Sequence, residues 1–263
     1  MSRDGNERFD IAGGTVTGRS HALVGRGNQD AYAFRTAGDH LVAAVCDGCG
    51  SGAHSEVGAE LGARLVTALL LGRLAENAGL TDGELWDALR RDVLAALRPA
   101  VIAAGDRVSA TVAELMLFTI VGVAIRGDTG VVFAAGDGVV AVDGEVQRLG
   151  PFPGDAPPYL GYGLIDAGAP GFSVVRTFAA KEVNHVLIGT DGAAALAEVE
   201  GGRLFRRLWE DERHFGNRDG IRRSLALLNR EEAKPIWAER RMERKRGLLE
   251  DDATVVVVRR KPS

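Results

Sequence analysis

Apolar positions along the chain follow two kinds of spacing. Short unbroken runs, Leu41-Val42-Ala43-Ala44-Val45-Cys46, Val131-Val132-Phe133-Ala134-Ala135, Val186-Leu187-Ile188 and Val255-Val256-Val257-Val258, are rich in β-branched residues and predict buried strands. Between His54 and Glu76, by contrast, Val57, Leu61, Leu65 and Leu69 recur at helical spacing. A second set, Leu85, Leu89, Val93 and Leu97, follows Thr81-Asp82-Gly83-Glu84, which reads as a capping box. Two antiparallel helices are expected. From Leu115 to Val146 the apolar runs are separated by Arg126-Gly127-Asp128-Thr129-Gly130 and Val142-Asp143-Gly144-Glu145, hairpin turns that predict a β-meander. Prolines and glycines break the stretch from Gly150 to Gly171, which predicts a surface loop. Helical spacing returns at Leu204, Leu208, Ile221, Leu225 and Leu228, with Gly247 as a stop. On that reading the basic run Arg240-Arg241-Met242-Glu243-Arg244-Lys245-Arg246 is a solvated helix face, with docking of an acidic partner as the alternative.

The strand runs end in acids. Asp47-Gly48 closes the first, Asp191-Gly192 follows Val186 to Thr190, Asp251-Asp252-Ala253-Thr254 opens the last, and Gly136-Asp137-Gly138 follows Ala135. Any one Asp-Gly pair is a common turn. Repeated at strand ends, the pattern predicts that antiparallel neighbours gather the carboxylates on one rim of a sheet. Crowded carboxylates resist ionisation unless a divalent cation neutralises them, so Mg2+ or Mn2+ is the implied ligand.

Composition narrows the class. With 263 residues, 46% of them hydrophobic, the chain suffices for one large domain over residues 1–263. A net charge of -4 argues against a nucleic-acid surface. The charged start and the lack of any long apolar segment predict a cytoplasmic protein without membrane attachment. Cys46 and Cys49 form a C-x-x-C spacing, but no second Cys/His pair accompanies them at zinc-finger spacing, so coincidence is the favoured reading.

Taken together and in order, Asn28-Gln29-Asp30-Ala31, Val45-Cys46-Asp47-Gly48-Cys49-Gly50-Ser51-Gly52, Ala135-Gly136-Asp137-Gly138, Gly189-Thr190-Asp191-Gly192 and Asp251-Asp252-Ala253-Thr254-Val255-Val256 resemble the metal-dependent serine/threonine protein phosphatases of type 2C, most of all a compact bacterial branch. The resemblance implies an α+β fold, a four-layer α/β/β/α sandwich of two mainly antiparallel sheets. It implies hydrolysis of phosphoserine and phosphothreonine in proteins by water activated at two Mg2+ or Mn2+ ions. The substrates would be phosphorylated proteins, opposing a Ser/Thr kinase. By position, Asp47 corresponds to a bridging ligand, the Gly48 carbonyl to its neighbour, Asp191 and Asp251 to terminal ligands, and Asp30 to an acid that orients water. Asp252 falls where hydrogen bonding alone suffices.

Several places depart from the family pattern. The phosphate-holding arginine is expected one residue before Arg26, where this chain has Gly25, so Arg26 is the candidate and Arg19 the fallback. Cys49 stands where some relatives carry an acid-donating histidine, leaving His54 and His21 to consider. Ala195 replaces a further aspartate, so a third ion would rest on Asp137 with fewer ligands. The Gly150 to Gly171 segment corresponds to a flap beside the active site, or else is a plain connection. The alternative function is a catalytically silent relative that binds phosphoproteins or senses metal. An aspartyl nucleophile would need a D-x-D at a strand end, where this chain has Asp47-Gly48-Cys49.

Overall fold

The structure, a computed structural model, describes residues 8–262. It opens with β1 (Phe9–Val16), α1 (Arg19–Leu23), β2 (Asp30–Ala37) and β3 (His40–Asp47). Three helices follow, α2 (Ser55–Ala75), α3 (Gly83–Ala104) and α4 (Val108–Leu115). The centre holds β4 (Ile120–Arg126), β5 (Thr129–Ala135), β6 (Gly138–Val142), β7 (Glu145–Leu149), β8 (Ser173–Ala179) and β9 (His185–Gly189). The last third contains α5 (Ala195–Glu198), α6 (Arg203–Glu210), α7 (Arg213–Gly216), α8 (Gly220–Leu228), β10 (Glu232–Ile236), β11 (Arg241–Lys245) and β12 (Ala253–Arg260).

Among the described residues the strands form two five-stranded sheets, ordered β1-β12-β9-β6-β7 and β2-β3-β4-β5-β8, and a separate pair, β10-β11. Every pairing is antiparallel. Alternation along the strands builds the layers. Leu41, Ala43 and Val45 point between the sheets and meet Val140, Ile188 and Val256. Val42, Ala44 and Cys46 face the other way, against Ala59, Val66 and Leu70 of α2 and Leu89 and Val93 of α3. On the second sheet Val255 and Val257 turn outward onto Phe205, Leu208, Ile221 and Leu225 of α6 and α8. Three apolar interfaces therefore separate four layers, the expected α/β/β/α sandwich. Burial on both faces explains why the strands read as continuous apolar runs.

Four expectations are corrected. The stretch from Leu115 to Val146 is not one meander. β4 and β5 belong to one sheet and β6 and β7 to the other, and the chain crosses at Gly136-Asp137-Gly138, where both glycines take positive φ. The cap of α3 is Asp82, whose carboxylate accepts the Glu84 N–H at 2.9 Å, rather than Thr81. The segment from Gly150 to Gly171 is more than a surface loop, because Leu160 and Leu164 are buried in the helix-side core and Arg90 and Arg98 hold its carbonyls. The basic run Arg240 to Arg246 lies on a hairpin. Its residues lack an apolar stripe to bury, and Pro235 removes an N–H that a helix interior would need.

Candidate metal centre

The carboxylates gather where strand ends of both sheets meet. Asp47, the last residue of β3, lies directly opposite Asp30, the first of β2. Asp191 follows the end of β9, and Asp251 precedes β12, its antiparallel neighbour. The gathering predicted along one sheet rim therefore holds for Asp191 and Asp251, while Asp47 and Asp30 reach the same place from the facing sheet. Asp47 is in hydrogen-bonding reach of the Asp191 carboxyl and feels the charges of Asp30, Asp191 and Asp251.

A chain of hydroxyls ties the two sides together. Thr190 Oγ1 donates to Asp30 Oδ2 at 2.8 Å and accepts the Thr254 N–H at 3.0 Å. Thr254 Oγ1 reaches Thr15 Oγ1 at 2.6 Å. Asn28 donates to the same Thr15 oxygen at 2.7 Å, and its own Oδ1 accepts the Asp30 N–H at 2.9 Å. Gln29, also buried, donates to Ser55 Oγ at 2.6 Å and so pins the start of α2. The motif residues Asn28, Gln29, Thr190 and Thr254 were visible beside the aspartates, but their role in joining two sheets was not. Nothing in the sequence singles out Thr15.

Burial holds the Asp30 and Asp47 carboxyls well above the ordinary carboxylate range. Repulsion from neighbouring aspartates adds to this, and the Thr190 hydrogen bond only partly offsets it at Asp30. Burial raises Asp251 as well. Asp30 is 8% exposed, and its Oδ1 has no hydrogen-bond partner. An all-oxygen donor set, strained by its own charge and carrying an unsatisfied buried oxygen, fits a hard divalent cation of the Mg2+ or Mn2+ kind.

The adjacent acids Asp251 and Asp252 have separate surroundings. Asp252, 3% exposed, accepts the N–H groups of Gly18 at 2.7 Å and Gln29 at 2.6 Å and lies 2.9 Å from His21 Nδ1. Both of its carboxylate oxygens are thus engaged, Oδ1 by Gly18 and Oδ2 by Gln29 and His21. Ligand atoms of His21, Asp251 and Asp252 come within 4.8 Å of one another, yet Asp252 already has three contacts on its two oxygens, which leaves it little capacity for a metal ion. Asp251 faces solvent with a largely exposed side chain. The fit is tight: a Cβ on Gly18 would sit 2.1 Å from the Asp251 carbonyl carbon, and one on Gly192 would sit 2.0 Å from the Asp252 oxygen.

Other residues considered from the sequence fall around this group. Arg26 directs its guanidinium to the carbonyls of Gly50 and Gly52, bracing the loop after Asp47. Arg19 pairs with Glu250 at 3.4 Å. His54 is exposed and turned to Glu56. Asp137 is half-buried, and its charge is felt at Tyr159 together with that of Asp47. Partial burial raises the Cys49 thiol, but hydrogen bonds from Ser51 and Tyr159 outweigh it and bring the thiol below its ordinary value. Tyr159 thus brings the Gly150 to Gly171 segment to the loop after Asp47. Both cysteines are free, and Cys46 is wholly enclosed in core.

A model of the protein phosphatase 2C family matches residues 17–229. No curated protein sequence matches the chain. Solved structures sharing the fold include a bacterial serine phosphatase, 15% identical with a TM-score of 0.58, covering 96% of this chain and 98% of that one. The serine/threonine phosphatase Stp1 of Staphylococcus aureus is 14% identical with a TM-score of 0.58, covering 100% and 99%. PppA of Pseudomonas aeruginosa, described as a regulatory component of T6SS, is 17% identical with a TM-score of 0.54, covering 97% and 99%. At these identities the likeness is one of fold.

Proposed function

The chain belongs to the protein phosphatase 2C family, and from that premise we propose that it hydrolyses phosphoserine and phosphothreonine in proteins, dependent on Mg2+ or Mn2+. The observation that carries this reading is the meeting of Asp30, Asp47, Asp191 and Asp251 from two sheets, with a buried Asp30 oxygen left unpartnered. Asp47 would be shared between two ions with the Gly48 carbonyl beside it, and Asp191 and Asp251 would both serve as terminal ligands of one of them. Asp137 would serve any third ion, with Ala195 offering nothing in support. Such ions, when bound, neutralise charge on a phosphoryl group and acidify water.

The chain's own groups do the rest. Asp30 Oδ2 is fixed by Thr190, so Oδ1 is the free acceptor that would orient a water at the rim. Arg26 is assigned to the substrate phosphate. Two carbonyls hold its guanidinium in place, and its remaining N–H groups suit a phosphoryl oxygen. The substrates would be phosphoproteins made by a Ser/Thr kinase. Among the described residues no helix is long and apolar enough to cross a membrane.

The test is hydrolysis of an aryl phosphate and of matched phosphoserine, phosphothreonine and phosphotyrosine peptides, in EDTA and with Mg2+ or Mn2+ added. Turnover that appears only with metal and favours the serine and threonine peptides supports the reading. Turnover in EDTA, or none with either metal, overturns it.

A further inference from the structure

We infer that the β10–β11 hairpin is an arm that docks an acidic segment of the phosphoprotein substrate beside the carboxylate rim; this rests on the phosphatase reading above. The arm is rooted at the site. Asn229 donates to the Thr17 carbonyl at 2.9 Å and accepts the Leu249 N–H at 3.1 Å, and Leu248 N–H bonds to Leu228 O at 3.0 Å. Gly247 closes the root so tightly that a Cβ there would lie 2.3 Å from the Asn229 oxygen. Asp251 follows four residues later. The family match ends at residue 229, so the arm lies beyond it.

The arm's two faces differ in kind. Cross-strand partners share a face. One face sets Glu232 against Lys245 and Lys234 against Glu243, so its charges compensate. The other sets Ala233 against Arg244 and Pro235 against Met242, with no carboxylate. Met242 is 52% exposed, and Trp237 at the tip is 83% exposed, beside Arg240. Among the described residues no ion pair engages Arg240, Arg244 or Arg246, whereas Arg241 and Lys234 pair with Glu239 and Glu232. A solitary two-stranded hairpin is marginal in water, so an uncovered apolar and cationic face invites a partner.

Charge selects that partner. Residues 203–246 carry 14 Lys and Arg against 8 Asp and Glu, a net of +6 in a chain whose net is -4. A phosphoprotein segment rich in acidic residues carries negative charge beyond its phosphoryl group, and the basic region offers attraction for that excess. A second copy of the arm would bring arginine against arginine. An acidic strand would not, and β11, which lacks proline, is the edge able to receive it with main-chain hydrogen bonds.

Two measurements test this separately from the phosphatase reading. The first is binding, without catalysis, of an unphosphorylated Asp/Glu-rich peptide to the full chain, followed by anisotropy of the labelled peptide and by the tryptophan fluorescence change that Trp237→Phe removes. Binding that weakens about tenfold in high salt or in the Arg240→Glu/Arg244→Glu/Arg246→Glu variant is expected. Equal binding by that variant, or binding to phosphatidylserine vesicles but not to the peptide, overturns the inference. The second compares KM for one phosphoserine peptide with and without an acidic extension. The extension should lower KM about tenfold in the native chain and have no effect in the variant, with aryl phosphate turnover unchanged in both. Equal KM for the two peptides in the native chain refutes docking, whereas absent aryl phosphate turnover refutes the phosphatase and leaves the binding result to stand.

Discussion

The two sides of the carboxylate rim are built differently. On the β2–β3 side, Asp30 is buried and Asp47 half-buried, hydrogen-bonded or close to other acids, and both carboxyls are held well above the ordinary carboxylate range. On the β9–β12 side, Asp191 and Asp251 open to solvent, and only their neighbours Thr190 and Asp252 are fixed in the core. The enclosed side carries the electrostatic strain, and the open side sets position from behind. Substitution should therefore cost activity on one side and, just behind the other, stability.

The largest expected effect is at the enclosed side. Asp47→Ala should lower metal-dependent aryl phosphate turnover by about a thousand-fold or more while the protein stays folded. Asp47→Asn should do the same yet raise the melting temperature of the metal-free protein, because a buried charge surrounded by like charges is removed. A fall in melting temperature together with retained activity would invert the comparison.

The adjacent pair before β12 sharpens it. Asp251→Asn should lose about a hundred-fold in activity with little change in stability. Asp252→Asn should do the reverse. Its amide NH2 would face one of the N–H groups that the carboxylate accepts, costing about 1–3 kcal/mol in urea unfolding, with activity per folded molecule largely kept. If Asp252→Asn were the inactive variant, the assignment of the two acids would be reversed. Asp137→Ala should cost less than Asp47→Ala, about tenfold, and an equal loss in both would place Asp137 in the essential set.

A smaller effect concerns pH. The raised carboxyls of Asp30 and Asp47 make the folded protein bind more protons than the unfolded chain. Their contribution is complete below the unfolded value, near ~4, and is lost as pH rises through the raised values. Metal-free protein should therefore show a melting temperature that falls from mildly acid to neutral pH, and Mn2+ should flatten that fall. A metal-free profile that rises over this window would exclude strain at the enclosed side.

Much of this was legible because the strands are buried on both faces and write themselves as Leu41 to Cys46 or Val255 to Val258. Sheet membership was not. The crossing at Gly136-Asp137-Gly138 uses the same glycine and aspartate chemistry as the true hairpin at Asp143-Gly144, where both residues take positive φ. The carboxylates of the site could be named from their strand ends. The backbone contacts of Asp252 could not, since its donors, Gly18 and Gln29, lie more than two hundred residues away. The β10–β11 arm does not read as a hairpin because charged strands with neither face buried have no apolar period, which leaves Pro235 as the main signal.

The position of β12 has a consequence for the integrity of the chain. It runs between β1 and β9, paired along its length from Ala253↔Val16 to Arg260↔Phe9 on one edge and from Val255↔Gly189 on the other. Val255 to Val258 are completely or almost completely enclosed. A protease that nicks the exposed tip at Trp237–Glu239 would sever the backbone without releasing this strand. Asp251 would remain at the rim on a separate fragment held by two sheet edges and two apolar interfaces. The molecule is thus divisible into two complementing pieces at the arm, and the final piece, though short, carries one wall of the site with it.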